Sequence, residues 1–205
     1  MKKTLMLFIT IFVAGFALTN CSSKHKEEYA LELINDYMFK TLYYYDDDQP
    51  IETKIDSAIH TPFNDTTIMR YASIIIELRG QADVYQEQFD RAKEVFNTFG
   101  NEGTRNHRDP FREMMNATDD LISVLGQSAK YDDSIRLVGR QISLDFIGWA
   151  VTHKYKFKSK GGTLMTASKV FIMDEDFTKI VNVFDVEDDD YIKCQQIIKE
   201  ILERK

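Results

Sequence analysis

Hydrophobic residues recur in steps of three and four along most of this chain, and in steps of two over a shorter stretch near its end. The first period is that of an amphipathic helix, the second that of a half-buried strand. Tyr29, Leu33, Tyr37, Thr41 and Tyr44 keep helical spacing, and Ala30, Ile34, Met38 and Tyr45 widen the stripe, which predicts a helix over residues 26–45. Asp46, Asp47, Asp48, Gln49 and Pro50 end it, because proline cannot continue a helix. Residues 50–65 are less regular. Ile51, Ile55 and Ile59 suit a short helix, and Thr61-Pro62 with Asn64-Asp65 is turn chemistry.

The longest pattern follows. Ile68, Tyr71, Ile75, Leu78, Ala82, Tyr85, Phe89, Ala92, Phe96 and Phe99 form a sustained heptad of coiled-coil type. It predicts a helix over 66–99, with Asp65 or Thr66 as its cap. Gly100 to Gly103 stop it, and a polar loop runs to Arg108. Asp109-Pro110 reads as a helix restart, with proline at the first helical position. Phe111, Met114, Leu121, Leu125, Ile135, Val138, Ile142 and Phe146 make a second stripe, with a kink or break expected between Gly126 and Asp133. Two long stripes across a short loop predict an antiparallel helical hairpin.

At Gly148 the period becomes two. Trp149, Val151, His153, Tyr155 and Phe157 fall on one face of a strand, and Thr152, Lys154, Lys156 and Lys158 on the other. Lys160-Gly161-Gly162 is a hairpin turn. Residues 163–173 and 179–186 are further strands, separated by a turn at Asp174 to Asp176. Asp188 to Asp190 cap a final helix carrying Tyr191, Cys194, Ile198 and Ile201. The expected fold is α+β: N-terminal helices with a long antiparallel hairpin, a three-stranded antiparallel β-meander, and a C-terminal helix. One domain is expected over residues 26–205, helical over 26–147, with the meander and last helix over 148–205.

The first residues follow a different plan. Lys2 and Lys3 precede an apolar run from Leu5 to Leu18, and Leu18-Thr19-Asn20-Cys21 follows. Charge, apolar stretch and small polar exit are the order of a secretion signal. The run is somewhat short for a membrane span. Residues 1–20 are therefore expected to be a signal peptide and 21–25 a tether. Loss of Lys2 and Lys3 with the signal takes the net charge from −7 to −9. So acidic a chain makes a poor nucleic-acid binder, since phosphate neutralisation needs a positive surface.

The catalytic and metal patterns with known spacings do not occur. There is no G-x-S-x-G and no H-E-x-x-H. Two cysteines and four scattered histidines offer no zinc spacing. No cofactor, metal or catalytic residue is assigned. Cys194 falls on an apolar helix face and reads as a small core residue, and His153 as a structural residue of the sheet. Two basic features stand out in an acidic chain. One is the lysine face of the strand, Lys154, Lys156 and Lys158, which suits an anionic glycan, lipid head group or acidic partner; as a solvated face, its lysines would discourage edge aggregation. The other is the expected tip loop with Arg105, His107 and Arg108, either a partner contact or a plain polar connection.

Leu18 to Cys21 resembles a lipobox, with Asn20 where that motif usually has Gly or Ala. The resemblance implies an acylated Cys21, with palmitate-type chains, at the mature N-terminus. Asp56-Ser57-Ala58, Asp65-Thr66-Thr67 and Asp133-Ser134-Ile135 resemble the O-glycosylation signal of exported Bacteroidales-type proteins, the first two in an expected loop region. Three blocks, Pro50 to Ala58, Ile147 to Tyr155 and Val170 to Asp176, resemble a group of small, uncharacterised Bacteroidales-type envelope lipoproteins. That likeness implies a place in the cell envelope, anchored to the outer membrane on its periplasmic or surface face, and carries no activity. The expected role is a non-enzymatic binding or interaction module. The alternatives are an envelope enzyme with a site assembled from residues distant in sequence, or an immunity or inhibitor protein against a periplasmic toxin.

Overall fold

The computed structural model describes residues 25–42, 49–99 and 103–204. The expected signal peptide, Cys21 and the run Asp46 to Asp48 lie outside the described residues. Helix α1 covers residues 25–41. Then come β1 (Gln49–Ile59), α2 (Thr66–Phe99), α3 (Arg105–Gln141), β2 (Phe146–Lys158), β3 (Leu164–Met173), β4 (Ile180–Asp185) and α4 (Asp189–Glu203). The α+β class stands. The chain divides into two compact units, one of residues 1–59 with 145–188, the other of residues 60–144 with 189–205.

The first unit is a sheet with a helix on one face. The sheet has four antiparallel strands in the order β1-β2-β3-β4, where the sequence pattern suggested three. The additional strand is β1, in the segment read as a candidate short helix. A spacing of four, as in Ile51, Ile55 and Ile59, fits a helix face, but it also keeps a strand's side chains on one side. The β-branched Ile and Thr residues favour the strand. Ile55 pairs with Val151 and Thr53 with His153. Pro50 sits on this edge strand next to a register shift, where a missing N–H is tolerated.

Alternation along β2 sends Val151, His153 and Tyr155 into the interior and leaves Lys154, Lys156 and Lys158 exposed. Helix α1 lays Ala30, Ile34 and Met38 against Val151, Tyr155, Phe171 and Met173. Burying a side chain of the size of Ile34 contributes about 1.5–3 kcal/mol. The packed stripe is Ala30-Ile34-Met38 rather than one centred on Tyr29, which is 54% exposed. Lys26 places its ammonium 3.8 Å from the centre of the Trp149 ring, while the indole N–H donates to the Glu175 carbonyl at 3.0 Å. Gly148 has φ of 129°, and a Cβ there would lie 1.9 Å from the Met173 carbonyl oxygen, so only glycine fits.

The second unit is helical. Asp65 caps α2 as expected, its Oδ1 accepting from the Thr67 and Ile68 amides at 2.9 Å. Helices α2 and α3 run antiparallel: Phe96 meets His107 at one end, their rings tilted by 48°, and Tyr71 meets Tyr131 further along. The last helix packs with this hairpin, contributing Cys194, Ile197, Ile198 and Ile201 to a cluster with Ile68, Ala72, Ile75 and Ile135. Its first turn holds Asp189 and Asp190, where acids favour a helix N-terminus. With 15 residues against 34 and 37, α4 covers only one part of the hairpin. The remainder is a two-helix arm.

Helix α3 differs from expectation at three places. It ends at Gln141, so Phe146, counted in its apolar stripe, instead opens β2. It starts at Arg105, so Pro110 lies inside it rather than at its start. The Asp109 carboxylate accepts from Arg105 and Arg112, both at 2.8 Å, and these pairs brace the extra turn. The helix also passes through Gly126 to Asp133 without a break. A single exposed glycine costs a helix about 1 kcal/mol, too little to interrupt 37 residues packed elsewhere along their length.

Candidate functional site

The arm's seam is built from small residues. Ala92 of α2 and Ala117 of α3 are both only 3% exposed. Ala117 fills the place between Met114 and Leu121 that the apolar pattern left open. Two alanines leave the flanks of the seam unfilled, and a groove of about 500 Å³ lies over them. Gln88 and Arg91 line one wall, Glu113, Asn116 and Asp120 the other, and Val95 joins the two alanines in the apolar floor. Glu113 and Asn116 also line a second cavity of about 570 Å³, with Arg105, Arg108, Asp109 and Arg112. The two form one channel along the arm with charges of both signs on its rim.

The basic tip residues lie in helix rather than loop. Arg105, His107 and Arg108 occupy the first turns of α3. Arg105 and Arg108 face the channel, whereas His107 packs against Phe96 with 4.8 Å between ring centres. His107 is therefore part of the hairpin's closure. The hydrogen bond from Arg105, with help from Arg112, holds the Asp109 carboxyl below its ordinary pKa. This end of the channel thus keeps a fixed anion among three arginines.

The lysine face lies on the other unit. Lys154 stands between Glu52 and Ser168 in the ladder, and Lys156 between Gln49 and Thr166. Glu52 pairs with Lys54 at 3.0 Å. Small hydroxyl neighbours leave Lys154 and Lys156 accessible as donors to an anion. The lysine face and the pair Arg105 and Arg108 belong to different units.

His153 is 1% exposed, and its Nδ1 shares a hydrogen bond of 2.9 Å with the Thr53 hydroxyl on β1. Its Nε2 is buried with no partner among the described residues. Burial pushes the imidazole below the ordinary histidine pKa. The ring ties the edge strand to the sheet. Cys194 is buried among Ile197, Ile198 and Ile201.

Of the glycosylation-like triplets, the first two were expected in a loop. Ser57 instead lies in β1, and Thr66 opens α2. Among the described residues no cluster of three His, Cys, Asp or Glu side chains is placed to hold a metal, and no helix is long and apolar enough to cross a membrane.

Sequence reasoning missed the channel. Its walls are polar residues one position before those of the packed seam, and nothing in their identity separates them from a solvated face. The one available signal was the alanine content of the seam. The chain matches no protein-family model, no curated protein and no solved structure.

Proposed function

We propose that this protein is a lipid-anchored component of the cell envelope, held through Cys21, and that its helical arm is a non-enzymatic interaction module. The observation that supports the module is the channel along the arm. Its floor is apolar, at Ala92, Val95 and Ala117, and its rim carries Arg91, Arg105, Arg108, Glu113 and Asp120. An apolar floor with an arginine-rich polar rim suits a protein partner, for which arginine is a favoured anchor. The anchor rests on the order Lys2-Lys3, apolar run, Cys21.

Recovery of partners from the native envelope tests the module. The full chain should retain a co-purifying protein that Arg91→Glu with Asp120→Lys loses, at unchanged circular dichroism. A partner set identical for both forms sinks it. Cys21→Ala tests the anchor: acyl labelling and membrane retention should both disappear, and their persistence rejects lipidation.

A second reading rests on the lysine face, where Lys154, Lys156 and Lys158 are exposed along one strand. An anionic glycan would be the ligand. Retention on an anionic polysaccharide column should fall on Lys154→Glu with Lys156→Glu and fall with salt. Equal retention of both forms discards this reading.

A further inference from the structure

The end of the sheet unit where α1 begins gathers aromatic rings at its surface. Trp149 stacks on Phe177 with 5.7 Å between ring centres and meets Phe146 edge-on at 5.4 Å. The Lys26 ammonium lies over the same indole. Ile59 is the register partner of Phe146 and ends β1 there. Phe146, Ile59 and Tyr29 are 43, 46 and 54% exposed. Aromatic rings with an apolar body and one wet edge, beside a long-stemmed cation, are the side chains that settle at the boundary between lipid and water.

We propose that this end of the sheet unit rests on the bilayer that holds Cys21, with Tyr29, Ile59, Phe146 and Trp149 at the level of the lipid head groups; the inference rests on the lipid anchor proposed above. The length of chain between anchor and fold decides what covers these residues. Cys21 and His25, the first described residue of α1, are four residues apart, a span of at most about 14 Å when fully extended. Lys26 follows at once and already touches Trp149. The aromatic end is therefore the part of the unit that the bilayer reaches first.

The opposite end of the unit lies far from the anchor. There Leu164 and Met165 are 57 and 47% exposed on the β2–β3 hairpin. Leu164 pairs with Lys158, nine residues along β2 from Trp149, or about 30 Å at 3.3 Å per residue. Two sideways placements are disfavoured. Lying on its α1 side, the unit would press the exposed Glu28, Glu32 and Asp36 onto the bilayer, and burying charge is costly. Lying on its lysine face, it would lift the indole away, because alternation puts Trp149 on the other side of β2. Glu27, Glu28 and Glu175 offset Lys26 at the aromatic end, so the contact does not depend on anionic lipid. The upright unit points its hairpin tip away from the membrane.

Fluorescence of the full-length, acylated protein in vesicles tests it, since Trp149 is the single tryptophan of the chain. In phosphatidylcholine vesicles that contain a lipid spin-labelled at its head group, Trp149 emission should be quenched relative to vesicles without the spin label. Added phosphatidylglycerol should leave that loss unchanged. A fluorescent label on Leu164→Cys should keep its emission, and Cys194 is buried and does not compete for the label. Phe146→Glu with Tyr29→Glu should weaken the quenching of Trp149 while the protein still floats with the vesicles. Unsubstituted protein that floats with Trp149 unquenched, or a Leu164 label quenched as strongly as Trp149, overturns the proposal and leaves the anchor standing. Protein that carries no acyl chain and does not float removes the anchor, and the proposal with it.

Discussion

The two ends of the helical hairpin carry similar sequence patterns and have different fates. At the end beside α4, Ile68, Ala72, Ile75 and Ile135 are sealed by Ile197, Ile198 and Ile201. Along the arm the same two helices meet only each other. There Ala92 and Ala117 form the seam, and Val84, Val95, Phe111, Met115, Ile122 and Leu125 stay half exposed. A helix can bury a wide apolar arc only if two neighbours share it. One neighbour covers one stripe, and the flanks remain for a groove or a partner. The difference separates a stability end from an interaction end within a single supersecondary unit.

The strongest way to break this comparison is at the sealed end. Ile198→Ala should cost about 2–5 kcal/mol in urea unfolding, the range for a deep cavity that neighbours cannot fill. A loss below that range would mean that α4 is not what closes the cluster. Next in size is the cap at the same end. Asp65→Ala should cost about 0.5–2 kcal/mol, because the Thr67 and Ile68 amides lose their acceptor.

Acid provides a control confined to the sheet unit. His153 has its pKa lowered by burial, so at pH above about 6.5 it is neutral in both folded and unfolded chains. As pH falls below that value, the unfolded chain binds a proton that the folded sheet resists. Stability should therefore decline on acidification, and His153→Gln should remove that part of the decline. An unaltered pH profile in the variant would exclude His153 as its source. Amide exchange then sharpens the contrast without substitution: residues 68–78 and 131–138 should exchange more slowly than residues 86–96 and 111–120. The smallest effect belongs to the arm. Val84→Ala should stay within about 0.5 kcal/mol, since its side chain is half in water already.

Periodicity alone was enough for α2, whose range of 66–99 is the expected one, and for the alternation of β2 with its lysines outward. Both patterns are local, and a helix or strand of that length repeats its signal many times. Turn and cap chemistry was equally readable at Asp65 and at Lys160-Gly161-Gly162, because the side chain that satisfies the backbone sits in the same few residues. What the residues could not say alone was which of two apolar flanks would be covered. Phe111 and Leu125 look like core positions in sequence and are exposed, because α4 ends before reaching them. Pattern suggested a short helix where β1 lies, because a spacing of four that marks a helix face also fits a strand, and pairing with β2 across the whole hairpin overruled it. The channel and the exposed flank arose only once three helices of unequal length were laid together. Secondary structure follows from neighbours in the chain, but coverage depends on which distant element reaches a given face and where it stops.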